Sequence, residues 1–380
     1  YRALVSVAAG GGEDQLTRPG TFGPIIVGGG PAGSAAAIAL AKGGVKPLLI
    51  ERSAQTGDAL CGGFLSWQSL ARLKDLGVDA RALGGQRVTE VRVYCGRHVA
   101  TSALPQSGIG VSRRHLDTLL LDSARRAGTA IERGTKVTRV GGGIVSTADG
   151  AALTSPAIFL ACGKHGLPDH PRVPPRRTAS DPVVGLRLRL PASATLARLV
   201  DDAVELFLFD RGYLGLVRHE DGSGNFCLAV HKSRLAEAGG RPEALFAEWG
   251  AECSPLGERL GTGSAMGSID AVAAIPYGWM ARDGTSGLWR LGDQAACIPS
   301  LAGEGMGVAL ASGILAAQSH LAGGEAAVWQ RRFARQAAGP MRLAKAAWAI
   351  AETPRMNGAA TALLGLAPGL VRVLARLTRV

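Results

Sequence analysis

The residues with the most specific chemistry are three glycines followed by an acid. Gly28, Gly30 and Gly33 follow the apolar run Ile25–Val27 and open an alanine-rich stretch, and Glu51 closes the next apolar run. In a strand–turn–helix unit these glycines allow a tight turn, close approach of a pyrophosphate and close helix packing. The acid is placed to accept a hydrogen bond from a ribose. The spacing predicts a dinucleotide site, and an ordinary glycine-rich turn is the alternative.

A second group of residues distinguishes between the two common dinucleotides. Glu51 alone cannot choose between NAD and FAD, because both present an adenosine ribose. Asp293 ends an apolar run, and Gly305 and Gly307 open a long alanine-rich segment. An aspartate there can accept a hydrogen bond from a ribityl hydroxyl, and a helix start directs N–H groups toward a flavin ring that becomes anionic when reduced. The pair favours FAD.

These motifs, in this order, resemble the FAD-binding motifs of the para-hydroxybenzoate hydroxylase superfamily. That superfamily includes aromatic and ubiquinone-pathway hydroxylases, flavin-dependent halogenases and geranylgeranyl reductases. The likeness covers most of residues 24–320, and segments 61–66 and 211–216 look most like the geranylgeranyl-reductase branch. The resemblance implies that these residues contact FAD: Gly28, Gly30, Pro31, Ala32, Gly33, Glu51, Arg52, Arg113, Gly292, Asp293, Gly305, Met306 and Gly307.

Arg113 is assigned through a third motif. The run from Arg113 to Asp117 is similar to the helix start R-x-x-L-D of the superfamily. By that likeness the guanidinium of Arg113 lies against FAD. The alternative is a charged residue in an ordinary first helical turn.

One departure from the family pattern concerns the electron donor. Many members carry an Asp-Gly pair that helps to place both FAD and NADPH. Here the predicted strand 157–161 leads into Cys162-Gly163-Lys164-His165, so the glycine is present and the acid is absent. Lys164 and His165 either supply positive charge to a phosphate or form an ordinary polar loop. NAD(P)H is the expected donor, directly or through a separate reductase.

We assign the catalytic chemistry to the flavin because the sequence has no G-x-S-x-G nucleophile motif and no Cys/His pair at the spacing of a catalytic pair. The leading hypothesis is an FAD-dependent monooxygenase that hydroxylates a lipophilic aromatic, polyketide or isoprenoid-like substrate through a flavin C4a-hydroperoxide. The alternative is a reductase of C=C bonds of the geranylgeranyl-reductase type. A halogenase is less favoured, since the W-x-W-x-I-P segment of halogenases is not found. A flavin-containing binding protein that uses its basic tail on membranes is a further alternative.

No side chain is assigned as the catalytic residue. The candidates for lining the flavin are Pro299, Gly303, Gly305 and Tyr213. Cys61 is expected to be a buried, inert thiol. The substrate-side candidates, each of which could instead be an ordinary core or sheet residue, are Tyr213, His219, His231, Tyr277 and Trp279.

The remaining segments predict how these residues are held. Short β-rich runs at 87–95, 183–190, 204–209, 213–218 and 225–230 predict an antiparallel sheet over the flavin. The expected fold class is α/β, with a Rossmann-like FAD-binding domain of the glutathione-reductase type, an antiparallel β-sheet substrate domain and C-terminal helices. The expected domains are 24–84, 107–180 and 284–330 for FAD, 85–106 and 181–283 for substrate, 331–380 for the C-terminal helices, and 1–23 as a leader.

Composition limits the remaining possibilities. With 380 residues and 47% hydrophobic content, the chain can bury a large core. Its six cysteines lack C-x-x-C spacing, so we expect no metal site and no disulfide framework, as in a reducing cytoplasm. No stretch of about 18 unbroken apolar residues predicts a transmembrane helix. The expected location is the cytoplasm.

The net charge of +12 is concentrated near the end of the sequence. Between residues 331 and 380, nine Lys or Arg stand against the single acid Glu352, a net +8. Apolar residues at helical spacing lie between them, with breaks near Pro354 and Pro368. Such helices can lie on an anionic membrane, or they pack on the FAD domain with a solvated basic face. We expect a lipophilic small-molecule substrate, free or carrier-bound, a peripheral membrane contact and no nucleic acid.

Overall fold

The computed structural model describes residues 22–263 and 267–380. It contains a five-stranded parallel sheet. Its strands are β1 (Ile25–Val27), β2 (Leu48–Glu51), β6 (Ala130–Arg133), β10 (Ile158–Leu160) and β16 (Leu288–Arg290). They lie in the order β16-β10-β1-β2-β6, and every neighbouring pair is parallel. The apolar runs of β1 and β10 are buried throughout, as parallel strands covered on both faces require. The predicted leader lies outside the described residues up to position 21.

A larger sheet covers one end of the first. Its strands are β3 (Phe64–Leu65), β4 (Gln86–Cys95), β5 (His98–Gly110), β11 (Val183–Leu190), β12 (Ala203–Phe209), β13 (Gly212–Arg218), β14 (Gly224–His231) and β15 (Ile269–Val272). They lie in the order β15-β11-β14-β13-β12-β4-β5-β3. All five β-rich runs predicted from the sequence are therefore strands of one sheet. The predicted antiparallel sheet has one parallel pair, because the chain leaves after β5 and returns so that β12 runs parallel to β4.

A small antiparallel sheet and the helices complete the fold. The sheet consists of β7 (Val137–Gly141), β8 (Ile144–Thr147) and β9 (Ala152–Thr154). The helices are α1 (Pro31–Lys42), α2 (Trp67–Asp75), α3 (Arg113–Arg126), α4 (Arg176–Ser180), α5 (Ala194–Val200), α6 (Lys232–Glu237), α7 (Pro242–Glu252), α8 (Ser254–Leu260), α9 (Gly305–Leu321), α10 (Ala326–Ala351), α11 (Pro354–Leu366) and α12 (Pro368–Leu377). The predicted domain boundaries stay a prediction; β5 runs past residue 107 and α10 begins before residue 331.

Two glycine contacts hold the start of α1 against the turn after β1 and against the middle of α9. A Cβ on Gly33 would overlap the carbonyl oxygen of Gly28, so only glycine lets α1 lie this close to the turn after β1. A Cβ on Gly313 would likewise overlap the carbonyl oxygen of Ala32, so α9 packs directly on the backbone of α1. The start of α1 is therefore fixed between the glycine turn and α9.

The last two helices are joined by a sharp bend. They begin at the two prolines predicted to break the tail, Pro354 and Pro368, where the missing N–H groups cost nothing in a first turn. In the described part of the chain no individual helix meets the length and hydropathy of a membrane span, although α11 and α12 do so together, bent by 107°. The carbonyl of Pro368 accepts a 2.7 Å hydrogen bond from Ser102 Oγ, which fixes the bend on β5.

A buried histidine ties the larger sheet to the end of α10. His231 Nδ1 lies 2.9 Å from the carbonyl oxygen of Asp181, and its Nε2 lies 3.1 Å from Glu352 Oε2. Both partners accept hydrogen bonds, so both ring nitrogens donate when the ring is charged. Burial alone would lower the pKa of His231, but the hydrogen bond and charge of Glu352 outweigh it and raise the pKa.

Because the folded-state pKa of His231 is raised, its stabilising effect is full below the unfolded value of about 6.5 and is lost as pH rises through the folded value. We expect the free energy of unfolding to fall by about 1 kcal/mol over that interval. Urea unfolding at a series of pH values measures it. His231→Gln should remove this part of the pH dependence, and an identical pH profile in the variant would contradict the assignment.

Candidate functional site

The turn after β1 forms one wall of a groove. Gly28 has a φ of +108°, and a Cβ there would lie 2.5 Å from the carbonyl oxygen of Ala161, so glycine is required. The chain then enters α1 at Pro31, where the missing N–H costs no helical hydrogen bond. No side chain caps this helix among the described residues. The first N–H groups of α1 therefore face the groove with the positive end of the helix dipole.

Glu51 closes the opposite side of the groove. Its Oε2 accepts a 2.7 Å hydrogen bond from the N–H of Gly29, and its Oε1 accepts one of 2.9 Å from the N–H of Ser53. These two bonds hold the carboxylate at the end of β2, beside the glycine turn. Each carboxylate oxygen has a second lone pair, so Glu51 can still accept hydrogen bonds from vicinal hydroxyls.

Arg113 is held at the centre of the site by a buried carboxylate. Its Nε and one terminal nitrogen donate to the two oxygens of Asp117 at 2.9 and 2.7 Å. Burial alone would lower the pKa of Arg113, but the pairing with Asp117 raises it, so the guanidinium stays charged. A Cβ on Gly30 would lie 3.4 Å from this guanidinium. Arg113 thus lies beside the glycine turn, and its contact with FAD stays a prediction.

Asp293 reaches the same centre from β16. It lies in a short 3₁₀ turn that begins at Gly292, whose N–H donates a 2.8 Å hydrogen bond to Ser312 Oγ of α9. Gly292 has a φ of +55°, and its Cα lies against Ala32 of α1. The backbone carbonyl of Asp293 accepts a hydrogen bond from Arg172. The carboxylate is thus positioned between the starts of α1 and α9.

Two adjoining cavities meet at Arg113 and Asp293. A groove of about 430 Å³ extends from them toward Glu51, Arg52 and Arg133. A second cavity of about 510 Å³ extends toward the larger sheet and the last two helices. Both volumes are typical of small-molecule sites. The residues that line both cavities are Gly30, Leu60, Arg113, Ala161, Gly163, Lys164 and Asp293.

The loop that replaces the acidic motif lies at this junction. Lys164 lines both cavities, and its Nζ donates a 2.8 Å hydrogen bond to the carbonyl of Leu60. His165 lines the groove, where burial together with Arg52 and Arg172 lowers its pKa. His165 is therefore neutral near pH 7, and Lys164 carries the positive charge of the loop.

Three hydroxyl groups converge in the wall of the larger cavity. Tyr213 OH and Ser300 Oγ are in hydrogen-bond contact, and Tyr277 OH lies 2.7 Å from the same Ser300 oxygen. All three residues line the cavity. Burial raises the pKa of both tyrosines, so both phenols stay protonated. When both donate to Ser300, the proton of the serine hydroxyl is left for an acceptor in the cavity.

A buried ion pair fixes the start of α9. Glu304 Oε2 accepts a 2.6 Å hydrogen bond from Arg379, and Arg72 lies 4.0 Å from Glu304 Oε1. Arg379 also donates to the carbonyl of Ala302 at 3.0 Å. Burial raises the pKa of Glu304, and the two arginines oppose that effect. The segment after α12 is thus tied to the turn that precedes Gly305.

The other predicted residues fall into two groups. Pro31, Ala32, Tyr213, Gly303, Gly305 and Met306 line the larger cavity, and Gly28 and Arg52 line the groove. Cys61, expected to be buried, is half-buried and faces the larger cavity, since the residues after it run along the opening. Within the described ranges, six of the predicted residues line neither cavity: Gly33, Gly307, Pro299, His219, His231 and Trp279. The cofactor roles of all these residues stay predictions.

Gly33 and Gly307 instead serve packing. Because Gly33 has no side chain, the carbonyl oxygen of Gly28 can lie against it. A Cβ on Gly307 would overlap the carboxylate of Glu304. His219 packs against Gly63, and burial and Arg189 lower its pKa to about 4. The sequence interpretation assigned no role to Ser300, to Asp117 or to the Glu304–Arg379 pair. Asp117 could have been found, because a carboxylate four residues after Arg113 faces it on a helix.

The donor set fits a dinucleotide that ends in a flavin. Open space lies over Gly62, Gly163 and Gly305, where a Cβ would meet no atom within 4 Å. The groove offers a charged guanidinium and a helix start to phosphates, and Gly305 and Met306 bring the start of α9 into the wall of the larger cavity. Among the described residues, every residue that the sequence assigned to FAD except Gly33 and Gly307 lines one or both of these adjoining cavities.

Comparison with known proteins agrees with this fit. Residues 23–148 match the FAD binding domain family. A chloroplastic geranylgeranyl diphosphate reductase of Nicotiana tabacum is 37% identical over 114 residues, which cover 29% of this chain and 24% of that protein. The chain thus spans about a quarter of the length of the curated relative it matches.

Solved structures extend the likeness to nearly the whole chain. Pseudomonas aeruginosa PqsL, solved with 2-aminobenzoylacetate, has a TM-score of 0.71 and 16% identity, covering 90% of this chain and 99% of that chain. The flavin-dependent brominase Bmp2 has a TM-score of 0.72 and 16% identity, with 94% and 93% covered. At these identities the likeness concerns the fold.

We expect Glu51→Gln and Asp293→Asn each to weaken FAD binding about tenfold, because each removes one charged acceptor of a hydroxyl group. Fluorescence titration of the deflavinated protein with FAD measures the dissociation constant. Asp169→Asn, which removes a carboxylate paired with Arg139 outside both cavities, is the control. Unchanged affinity in both site variants would contradict the placement of FAD.

Proposed function

Because the chain belongs to the FAD-dependent oxidoreductase superfamily that includes para-hydroxybenzoate hydroxylase and geranylgeranyl reductase, we propose that it is a monooxygenase acting on a lipophilic substrate. The substrate class is an aromatic, polyketide or isoprenoid-like molecule with an oxygen substituent. The hydroxyl cluster of Tyr213, Tyr277 and Ser300 in an otherwise mostly apolar cavity is the observation that carries the proposal.

The apolar wall sets the class of substrate. The cavity is lined by aliphatic side chains from the larger sheet, among them Val91, Val93 and Leu206, and from the last helices, among them Leu364 and Leu374. Such a wall binds apolar surface by removing it from water. It also excludes water from the reacting centre, which protects reactive intermediates from hydrolysis.

The hydroxyl cluster sets the orientation of the substrate. Ser300 can donate its proton to a carbonyl or phenolic oxygen while the two tyrosines hold its own oxygen in place. Because both tyrosine pKa values are raised, the cluster holds protons and does not act as a phenolate base. A substrate oxygen bound there directs one neighbouring carbon toward the space over Gly305.

The remaining residues hold the cofactor. Arg113, kept charged by Asp117, lies where it can pair with the pyrophosphate, and Asp293 lies where it can accept from the ribityl chain. The start of α9, which lines the larger cavity at Gly305 and Met306, would present N–H groups to a flavin ring on which negative charge develops. When bound, FAD supplies the electrons and the site of oxygen activation.

A reductase of C=C bonds is the second candidate, favoured by the partial sequence match to the tobacco reductase. Turnover under heavy-isotope dioxygen separates the two. A monooxygenase incorporates one labelled oxygen atom per product, whereas a reductase saturates its substrate without oxygen and incorporates none. Halogenation, the lesser alternative, would require halide and yield a halogenated product.

We expect Ser300→Ala and Tyr277→Phe each to raise the KM for substrate about tenfold and to increase hydrogen peroxide formed per NADPH consumed. The reason is that a misoriented substrate intercepts activated oxygen less often; loss of one hydrogen bond corresponds to about this factor. Steady-state oxygen and peroxide electrodes measure both quantities. Ser123→Ala on α3 is the control, and wild-type coupling in both cavity variants would contradict the role of the cluster.

For the electron donor we propose NAD(P)H, with Lys164 as the cation that meets its phosphate at the junction of the cavities. Stopped-flow reduction of the bound flavin by NADPH and by NADH tests this. Lys164→Gln should slow reduction about tenfold by removing one charge-assisted contact. Equal rates in wild type and variant would contradict the role of Lys164, and no reduction by either nucleotide would point to a partner reductase.

A further inference from the structure

The helix pair α11 and α12 presents an exposed apolar surface. Among the described residues, eleven large hydrophobic side chains are exposed, and six of them lie on these two helices. Leu366 is the most exposed, at 86%, and Leu377 is exposed at 58%. We call the six the helix-pair patch: Met356, Leu363, Leu366, Leu370, Val373 and Leu377. Val99 of β5, exposed at 55%, adjoins it, because Gly365 lies against its carbonyl.

The patch is a second apolar face of helices that are already packed. On α12, Val371, Leu374 and Thr378 line the larger cavity, at spacings of one helical face. Leu370, Val373 and Leu377 follow the same spacing in a neighbouring, exposed row, and Leu370 also lies at the edge of the cavity. One apolar face is enough to attach a surface helix to a core. The outward face is therefore available to a partner outside the folded chain.

The charges around the patch identify that partner. Residues 353–380 contain four arginines and no acid. Arg355, Arg372 and Arg376 are exposed beside the patch, whereas Arg379 is buried against Glu304. Apolar side chains flanked by arginines, on helices that lie across the surface, match the interface of a bilayer with anionic headgroups.

The mouth of the larger cavity opens at the same place. Leu363 and Leu370 both line the cavity and are exposed, at 54% and 38%. A lipid surface covering the patch would therefore cover the opening as well. A hydrophobic molecule could then pass from the bilayer into the cavity without crossing water.

We propose that the helix-pair patch docks the protein on an anionic lipid bilayer, with the cavity mouth facing the membrane. The docking itself does not rest on the proposed hydroxylation. The patch side chains insert at the headgroup boundary, and the three exposed arginines contact lipid phosphates. The buried segment after α12, held by Arg379 and Glu304, stays attached to the turn before α9.

The test is co-sedimentation of the flavin-loaded full chain with vesicles. We expect binding to mixed phosphatidylglycerol and phosphatidylcholine vesicles, weakened by salt, and much less binding to phosphatidylcholine alone. Leu366→Ser with Leu377→Ser, and separately Arg372→Gln with Arg376→Gln, should each reduce binding about tenfold. None of these four side chains lines either cavity in the described chain, so flavin content should stay unchanged.

Matched controls remove the same chemistry elsewhere. Val173→Ser with Val328→Ser removes two exposed apolar side chains, and Arg125→Gln with Arg126→Gln removes two exposed cations of α3. Both controls should bind vesicles as wild type does. Wild-type protein that stays in solution with anionic vesicles, or patch variants that bind as well as the controls, would overturn the proposal.

A competing occupant has its own outcome. A wild-type dimer in gel filtration that is lost in the Leu366→Ser, Leu377→Ser variant, without vesicle binding by wild type, would overturn the lipid assignment in favour of a second copy. Because no step of these assays uses turnover, a failure of docking is distinguishable from a failure of the proposed hydroxylation.

Discussion

The close packing of the start of α1 against the glycine turn and against the middle of α9 is the interaction that holds the walls of the two cavities in place. Gly33 lets α1 lie against the turn of Gly28, and Gly313 lets α9 lie against the backbone of Ala32. With larger residues at these positions α1 would separate from the turn and from α9, and the residues of the two helices that line the larger cavity would move apart. The groove and the larger cavity are continuous because these contacts are made.

Buried charged side chains around the two cavities form ion pairs, while other polar groups stay accessible to a bound molecule. Asp117 keeps Arg113 charged and oriented, and Arg379 holds Glu304 beneath the start of α9. Breaking a buried pair of this kind costs about 3–5 kcal/mol, because the remaining charge is left without its partner. Asp293 and the hydroxyl of Ser300 lie at the open side, where a bound molecule can reach them.

Much of the fold and part of the site could be predicted from the sequence. The glycine turn, Glu51 and Asp293 were recognisable because their spacing within single strand–turn–helix units reflects local backbone geometry. The five β-rich runs are strands for the same local reason. The parallel pairing of β4 with β12 was not predictable, since strand order depends on where the chain returns after a long excursion.

The contacts missed by sequence interpretation join distant segments. Tyr213, Tyr277 and Ser300 come from three parts of the chain, and Arg379 meets Glu304 across the molecule. No local pattern marks such encounters. Gly307 shows the converse case, where a residue in a recognisable motif serves the packing of Glu304. Placing the last helices over the cavity likewise required the structure, although their amphipathic character was readable.

The central claim is that Glu51 and Asp293 lie at opposite parts of a single site for one FAD molecule. The most direct measurement is to release the bound cofactor from purified wild-type protein by heat, identify it chromatographically and count it per chain. We expect one FAD per chain, because the groove beside Glu51 has the volume and the hydrogen-bond acceptor for an adenosine half. A protein that purifies without flavin and takes up none, or one that carries FMN, would contradict it.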